Sequence, residues 1–266
     1  MGLFLFIGSF FGNSGLAIAL IFGIGFNFVQ YFWSDKIVLR MSNAKELSKK
    51  DAPRLFKMIE NICKKADMPL PKKIALVPSM TPNAFCTGRG PKHYVVAVTQ
   101  GIMQLLSEKE LEGVLAHEIA HAKNRDVLVG TVAASIAGVI VYLAHMARWT
   151  AFFGGRDDNG SSNIISILLL AIFAPIAAMI IQLAISRSRE YLADSTGAKI
   201  IEDPKPLARA LEKLHQGVKV RPMRKGSRAM SSLYIVNPFT ADAFINLLST
   251  HPPMKERVKR LEAMKF

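Results

Sequence analysis

The sequence predicts a mostly α membrane protein in which transmembrane helices carry a water-facing α+β domain. Three observations lead there. Half of the 266 residues are hydrophobic and mean hydropathy is +0.25, high for a chain that is dissolved in water. Long uncharged apolar runs alternate with charged blocks. The 34 Lys and Arg fall as 16 in residues 34–126, 2 in 127–185 (Arg148 and Arg156) and 16 in 186–266. Against 20 Asp and Glu they leave a net charge of +14, which membrane topology and attraction to anionic lipid explain. No basic helix with interleaved aromatics accompanies the charge, so no nucleic-acid partner is expected. Cys63 and Cys86 are too few for a disulfide framework and fit a reducing compartment.

No charged side chain precedes Asp35, and residues 3–11 and 16–33 are apolar runs separated by Gly12-Asn13-Ser14-Gly15. The second is long enough to span a bilayer; the first is about half the roughly 20 residues required. It reads as a short span, a re-entrant segment or part of one overlong helix, so residues 1–33 form an N-terminal membrane segment. Residues 73–77 (KIALV) and 94–99 (YVVAVT) are β-branched runs bounded by Pro and Gly, hence strands. Ser107-Glu108-Lys109-Glu110 has capping-box form and opens a helix that runs through His121. Val127–Trp149 and Ile164–Ile185, joined by GGRDDNGSSN, form a transmembrane hairpin over 127–185. Two buried helices of a large soluble core are the alternative. A hairpin puts the blocks 34–126 and 186–266 on one side of the membrane, the cytoplasmic side by their positive charge, and the 151–163 loop on the other. The two blocks then make one domain around an inserted hairpin.

His117-Glu118-Ile119-Ala120-His121 is an H-E-x-x-H pattern. Its histidines are i and i+4 and project from one helix face toward a single ion, with Glu118 beside the open coordination position as general base. Two ligands are too few for a catalytic site. Asn124 and Val127 stand where a metzincin places Gly and His, which excludes that class. Glu108, Lys109, Glu110 and Glu112 before the motif, and Lys123, Arg125 and Asp126 after it, keep the helix out of the hydrocarbon. A third ligand comes after the hairpin. Glu190 and Asp194 are i and i+4 on a helix, so Glu190 can complete two His and one carboxylate while Asp194 orients a ligand histidine, His117. The alternative is that Arg187, Arg189, Glu190 and Asp194 are a solvated charged face. His251 precedes two prolines, and its imidazole is a transient fourth ligand, an oxyanion donor or a cap of the final helix. Arg257, on the following helix, is expected at the surface, with pairing to a carboxylate close to the site as the alternative.

HEIAH, SRSREYLADSTGA (E-x-x-A-D), NAFCTG at 83–88 and THPP at 250–253 together resemble the HtpX-like membrane metallopeptidases, relatives of the CaaX-prenyl-protein endopeptidases. The resemblance runs from about Trp33 to the C-terminus. It departs from the family at the start, where residues 3–11 stand in place of a complete first span. It implies a cytoplasmic zincin-like α+β metallopeptidase domain in a multi-pass protein of the cytoplasmic membrane. The implied activity is zinc-dependent cleavage of misfolded or damaged membrane proteins in stress quality control, with the bilayer and such unfolded substrates as partners. It also implies one Zn2+ per chain held by His117, His121 and Glu190, with Glu118 as base. Asn83 and Ala84 are matched family positions that the resemblance places against substrate backbone, with an ordinary turn as the alternative for Asn83, and a strand edge including Val96 would hold an extended segment. A noncatalytic membrane adaptor with a structural zinc site is the rival. If the basic stretch 219–232 is mobile, it is a candidate lid or self-cleavage site.

Overall fold

The length of each apolar run sets the membrane helices of this computed structural model, which describes residues 1–153, 161–220 and 251–266. Residues 154–160 of the predicted loop and 221–232 of the basic stretch lie outside the described residues. Helix α1 (Gly2–Ser9) has 8 residues, about 12 Å, too short to cross a hydrocarbon core of about 30 Å. It is a separate helix, because the chain turns at Gly12, whose φ of 72° a side chain rarely permits. Helix α2 (Gly12–Met41) then runs 30 residues without a break into the charged block. Gly12–Met41, Asp126–Arg148 and Leu169–Ile201 are each long and apolar enough to span. They point large apolar side chains outward, among them Phe22 at 68%, Ile136 at 57% and Phe173 at 60% exposure. Such surfaces suit lipid and not water. The protein is a membrane protein.

The chain divides into two units: Met1–Tyr31 with Val129–Ile185, and Phe32–Leu128 with Ser186–Phe266. In the first, Leu5, Leu16 and Ala19 are buried, with Val141 and Tyr142 packed against them. Asn27 Nδ2 donates to Ser135 Oγ at 3.3 Å, a polar tie between α2 and α6 (Asp126–Phe153).

The second unit is built on a four-stranded sheet in the order β1-β2-β4-β3. Its strands are β1 (Lys45–Glu46), β2 (Lys73–Val77), β3 (Ala84–Gly90) and β4 (His93–Thr99). β2 and β4 are parallel, and β3 pairs antiparallel with β4. Period-2 alternation divides the side chains between two faces. Ala75, Val77, Phe85 and Ala97 pack with Val38 and Leu39 at the end of α2. Ile74, Ala84, Val96 and Val98 face the main core with α3 (Pro53–Ala66), α5 (Glu108–Lys123), α8 (Lys205–Val220) and α9 (Met254–Glu262). The short α4 (Gln100–Leu105) links β4 to α5, and α7 (Ser161–Ile201) brings the chain back from the hairpin. Val96 is 0% exposed on an interior strand, so it cannot form the substrate edge expected of it. Among the described residues the outer strand next to β4 is β3.

Helix α5 begins where the capping box places it. Glu110 N donates to Ser107 Oγ, and Ser107 N to the Glu110 carboxylate at 2.9 Å. Lys213 Nζ on α8 donates to the same carboxylate at 2.8 Å. Burial pushes the Glu110 carboxyl up, but Lys213 and Ser107 outweigh it and hold it below its ordinary value. A depressed folded-state pKa adds stability above the unfolded value that is lost as pH falls through the folded one. Glu110→Gln should therefore cost about 1 kcal/mol of unfolding free energy at pH 7. The gap to wild type should close below roughly pH 4; equal melting temperatures at pH 7 would remove this role for Glu110.

Candidate metal centre

The i and i+4 spacing on α5 brings the rings of His117 and His121 to 4.6 Å between centroids, with their Nε2 atoms 3.1 Å apart. The third donor arrives on α7. Glu190 Oε1 is 3.7 Å from His121 Nε2, and Oε2 is 3.9 Å from His117 Nε2. A tetrahedral ion with bonds near 2.0–2.1 Å needs donors about 3.4 Å apart, and these three distances bracket that value. The donor set therefore fits a small divalent cation, and no other His/Cys/Asp/Glu cluster of this kind occurs among the described residues.

Close backbone contact puts Glu190 there. Glu190, Asp194 and Gly197 lie at i, i+4 and i+7, along one face of α7. A Cβ at Gly197 would come within 2.8 Å of the His117 backbone N, so the two helices cross where only glycine fits. One turn earlier on α5, a Cβ at Gly113 would lie 2.7 Å from the backbone N of Leu207 on α8.

Each histidine is oriented from behind. His117 Nδ1 lies 3.0 Å from Asp194 Oδ1, and His121 Nδ1 lies 2.6 Å from Asp126 Oδ2. Carboxylates at both Nδ1 atoms direct both Nε2 lone pairs toward the ion. Arg257 on α9 closes the arrangement. Its Nε and Nη2 donate to the two oxygens of Asp194 at 2.8 and 2.7 Å, and Nη1 reaches Glu190 Oε2 at 3.1 Å. Arg257 is 0% exposed, so the surface position expected for it is wrong: two buried carboxylates offset the desolvation of its charge. His251 Nδ1 is 3.5 Å from Glu190 Oε2.

The site's charges follow from these contacts. Burial works to raise the Glu190 carboxyl, but Arg257, His251 and His121 hold it well below the carboxylate range. Burial opposes ionisation of Asp194 as well, yet Arg257 and His117 bring it to about 2. Desolvation lowers His117. For His121 burial is outweighed by Asp126, Glu190 and Glu118, which raise it to about 9, so an entering cation displaces a proton there. Glu118 is raised to about 8, chiefly by burial. Its Oε2 accepts from the backbone N–H of Cys86 on β3 at 2.8 Å.

That bond shows which way β3 faces. The Cys86 N–H points away from β4, and alternation sends the backbone groups of Ala84 and Gly88 the same way, toward the side of β3 that has no partner strand among the described residues. Asn83 differs. Its N–H donates to Thr99 Oγ1 and its carbonyl accepts from Thr99 N, so its main chain is not offered to a substrate strand, and its side chain is buried. His117, Glu118, His121, Glu190, Asp194 and His251 are thus gathered at one place with Ala84 beside them, and Val96 is excluded. Asp126 is an addition, and Arg257 takes the pairing with carboxylates that was the alternative to its surface position. The demand of two buried carboxylates for a cation was the available signal for Arg257; Asp126 lies past the end of α5, where helical periodicity says nothing.

Residues 49–265 match peptidase family M48. The chain belongs to that family. It is 51% identical over 263 residues to a protein named "Protease HtpX homolog" of Thermococcus kodakarensis, covering 98% of this chain and 90% of that one. A relative of the same name from Thermodesulfovibrio yellowstonii is 52% identical over 264 residues, covering 98% and 93%. The crystal structure of S. mikatae Ste24p shares the fold, with a TM-score of 0.61 at 21% identity. The match covers 98% of this chain but 62% of Ste24p. Membership of M48 makes this membrane protein a metalloendopeptidase.

Arg257→Met, which keeps the length and removes the charge, should cost at least about 3 kcal/mol by leaving two buried carboxylates uncompensated. Thermal unfolding and metal content should both fall. A variant with wild-type stability and full metal content would show that Arg257 does not hold the site together.

Proposed function

We propose that this M48 protein is a zinc endopeptidase of the cytoplasmic membrane that cleaves extended segments of misfolded or damaged membrane proteins at a cytoplasmic active site. The observation that carries the reading is Glu118. It is no part of the His-His-Glu donor set, yet it is buried beside it and fixed by a backbone N–H of an open strand edge. A purely structural site, as in a membrane adaptor, has no use for such a carboxylate. Two imidazoles and one carboxylate favour zinc, which would supply Lewis acidity toward the scissile carbonyl and the attacking water.

The chain's own groups supply the rest. A substrate strand pairs with the outward backbone groups of Ala84 and Gly88, on either side of the Cys86 N–H that holds Glu118, which reads extended shape and not sequence. Such recognition suits unfolded clients of many kinds. Glu118 accepts the proton of the attacking water and passes it to the leaving amine. The imidazole of His251 donates to the oxyanion that develops on the carbonyl. Positive charge concentrated in residues 34–126 and 186–266 supports a cytoplasmic placement of the site, and the names of the relatives support proteolysis.

Glu118→Gln should bind zinc as wild type does and lose roughly 10²- to 10⁴-fold in cleavage of an unfolded protein by the detergent-purified chain. A chelator should stop the wild type. Retained metal in both with cleavage in neither would favour the structural site of an adaptor. His251→Ala should lower kcat by about 10²- to 10³-fold at unchanged zinc content; a loss of zinc would make His251 a ligand instead.

A further inference from the structure

One partly buried ion pair stands behind a ligand histidine, and its cation has no part in the chemistry above. Asp126 is the first residue of α6 and Arg189 lies on α7, 63 positions later. Their side chains are only 12% and 21% exposed. Asp126 Oδ2 lies 2.6 Å from Nδ1 of His121, while Oδ1 accepts from Arg189 Nε at 2.5 Å and from Nη2. The same Nη2 donates at 2.7 Å to the carbonyl of Asn124, the C-cap of α5. Arg125, between the cap and Asp126, has φ 57°, in the left-handed region that a residue with a Cβ seldom occupies. That conformation turns the chain within two residues and leaves Asp126 within reach of His121.

We propose that Asp126 is a positioning residue for His121 and that Arg189 is the latch that holds Asp126 in place. The metal site then depends on the ends of both hairpin helices being drawn together. This rests on the metalloprotease reading and adds a structural condition to it. A carboxylate on Nδ1 keeps the proton there, turns Nε2 to the ion and strengthens it as a donor. Unsupported, that carboxylate could rotate away. The guanidinium fork spans the carboxylate and the Asn124 carbonyl at once, which an ammonium cannot do with the same geometry. It also sets a cation at the C-terminal end of the ligand helix, where the helix dipole favours one.

The full chain purified in detergent, with cobalt as probe, tests the latch. Competition with a chromophoric chelator gives the dissociation constant, and visible absorption of bound cobalt reports ligand geometry. Asp126→Ala should weaken cobalt binding roughly 10- to 100-fold and change the spectrum. Asp126→Asn, of equal size and expected to fold, should weaken it about tenfold. Arg189→Lys should weaken binding several-fold. Added to Asp126→Asn it should cost little more, because both act through one contact. Wild-type affinity and spectrum in both Asp126 variants would overturn the proposal, as would a lowered melting temperature with an unchanged spectrum. A wild-type chain that takes up no cobalt would fail at the metalloprotease reading itself, a result separable from normal uptake by wild type and variants alike.

Discussion

The metal centre depends on a guanidinium withdrawn entirely from solvent. Two carboxylates, Glu190 and Asp194, must stay ionised in the interior, one to hold a cation and the other to hold His117. Without a counter-charge each would take up a proton or draw in water. Arg257 contacts both, with three of its nitrogens within 3.1 Å of their oxygens. Its side chain is 0% exposed, so little water screens these contacts. The final helix is therefore part of the site and not a trailing surface element.

The ligands reach one point because backbones are allowed to touch. Gly197 brings α7 against the main chain of His117, and Gly113 does the same for α8 and α5 one turn earlier. The ligand helix is thus held by two close backbone contacts along its length, with the sheet and α3 completing the core around it. Tight packing of this kind leaves side chains few alternative rotamers. Both histidine rings are then restrained by a carboxylate behind them as well as by their neighbours.

The hairpin insertion explains why a soluble-looking domain is split in sequence. Each hairpin helix contributes to the site just outside its apolar stretch: α6 through Asp126 and α7 through Arg189, Glu190 and Asp194. The apolar stretches themselves turn large side chains outward and carry few polar ties, such as Asn27 with Ser135. Chemistry and membrane anchoring are kept on different parts of the same helices.

Much was legible in the residues alone. Spanning helices announce themselves by run length, because hydrocarbon tolerates no unpaired backbone, and H-E-x-x-H places two donors on one face whatever surrounds it. The capping box marked the start of α5, and the E-x-x-A-D spacing separated ligand from orienter for the same local reason. β3 was not legible: its AFCTGRG stretch has weak strand propensity and exists because β4 pairs with it. Val96 was misplaced because alternation tells which residues share a face but not which strand is at the edge. Asp126 and Arg189 read as ordinary surface charges, and Arg257 read as either a surface charge or a carboxylate's partner, since a charge looks the same in sequence whether water or a buried partner will meet it. The sequence alone determined the helices, the anchoring and the ligand types. Only the tertiary structure decided which charges stand behind the ligands, because those partners come from segments up to 140 positions apart and meet only when the helices pack.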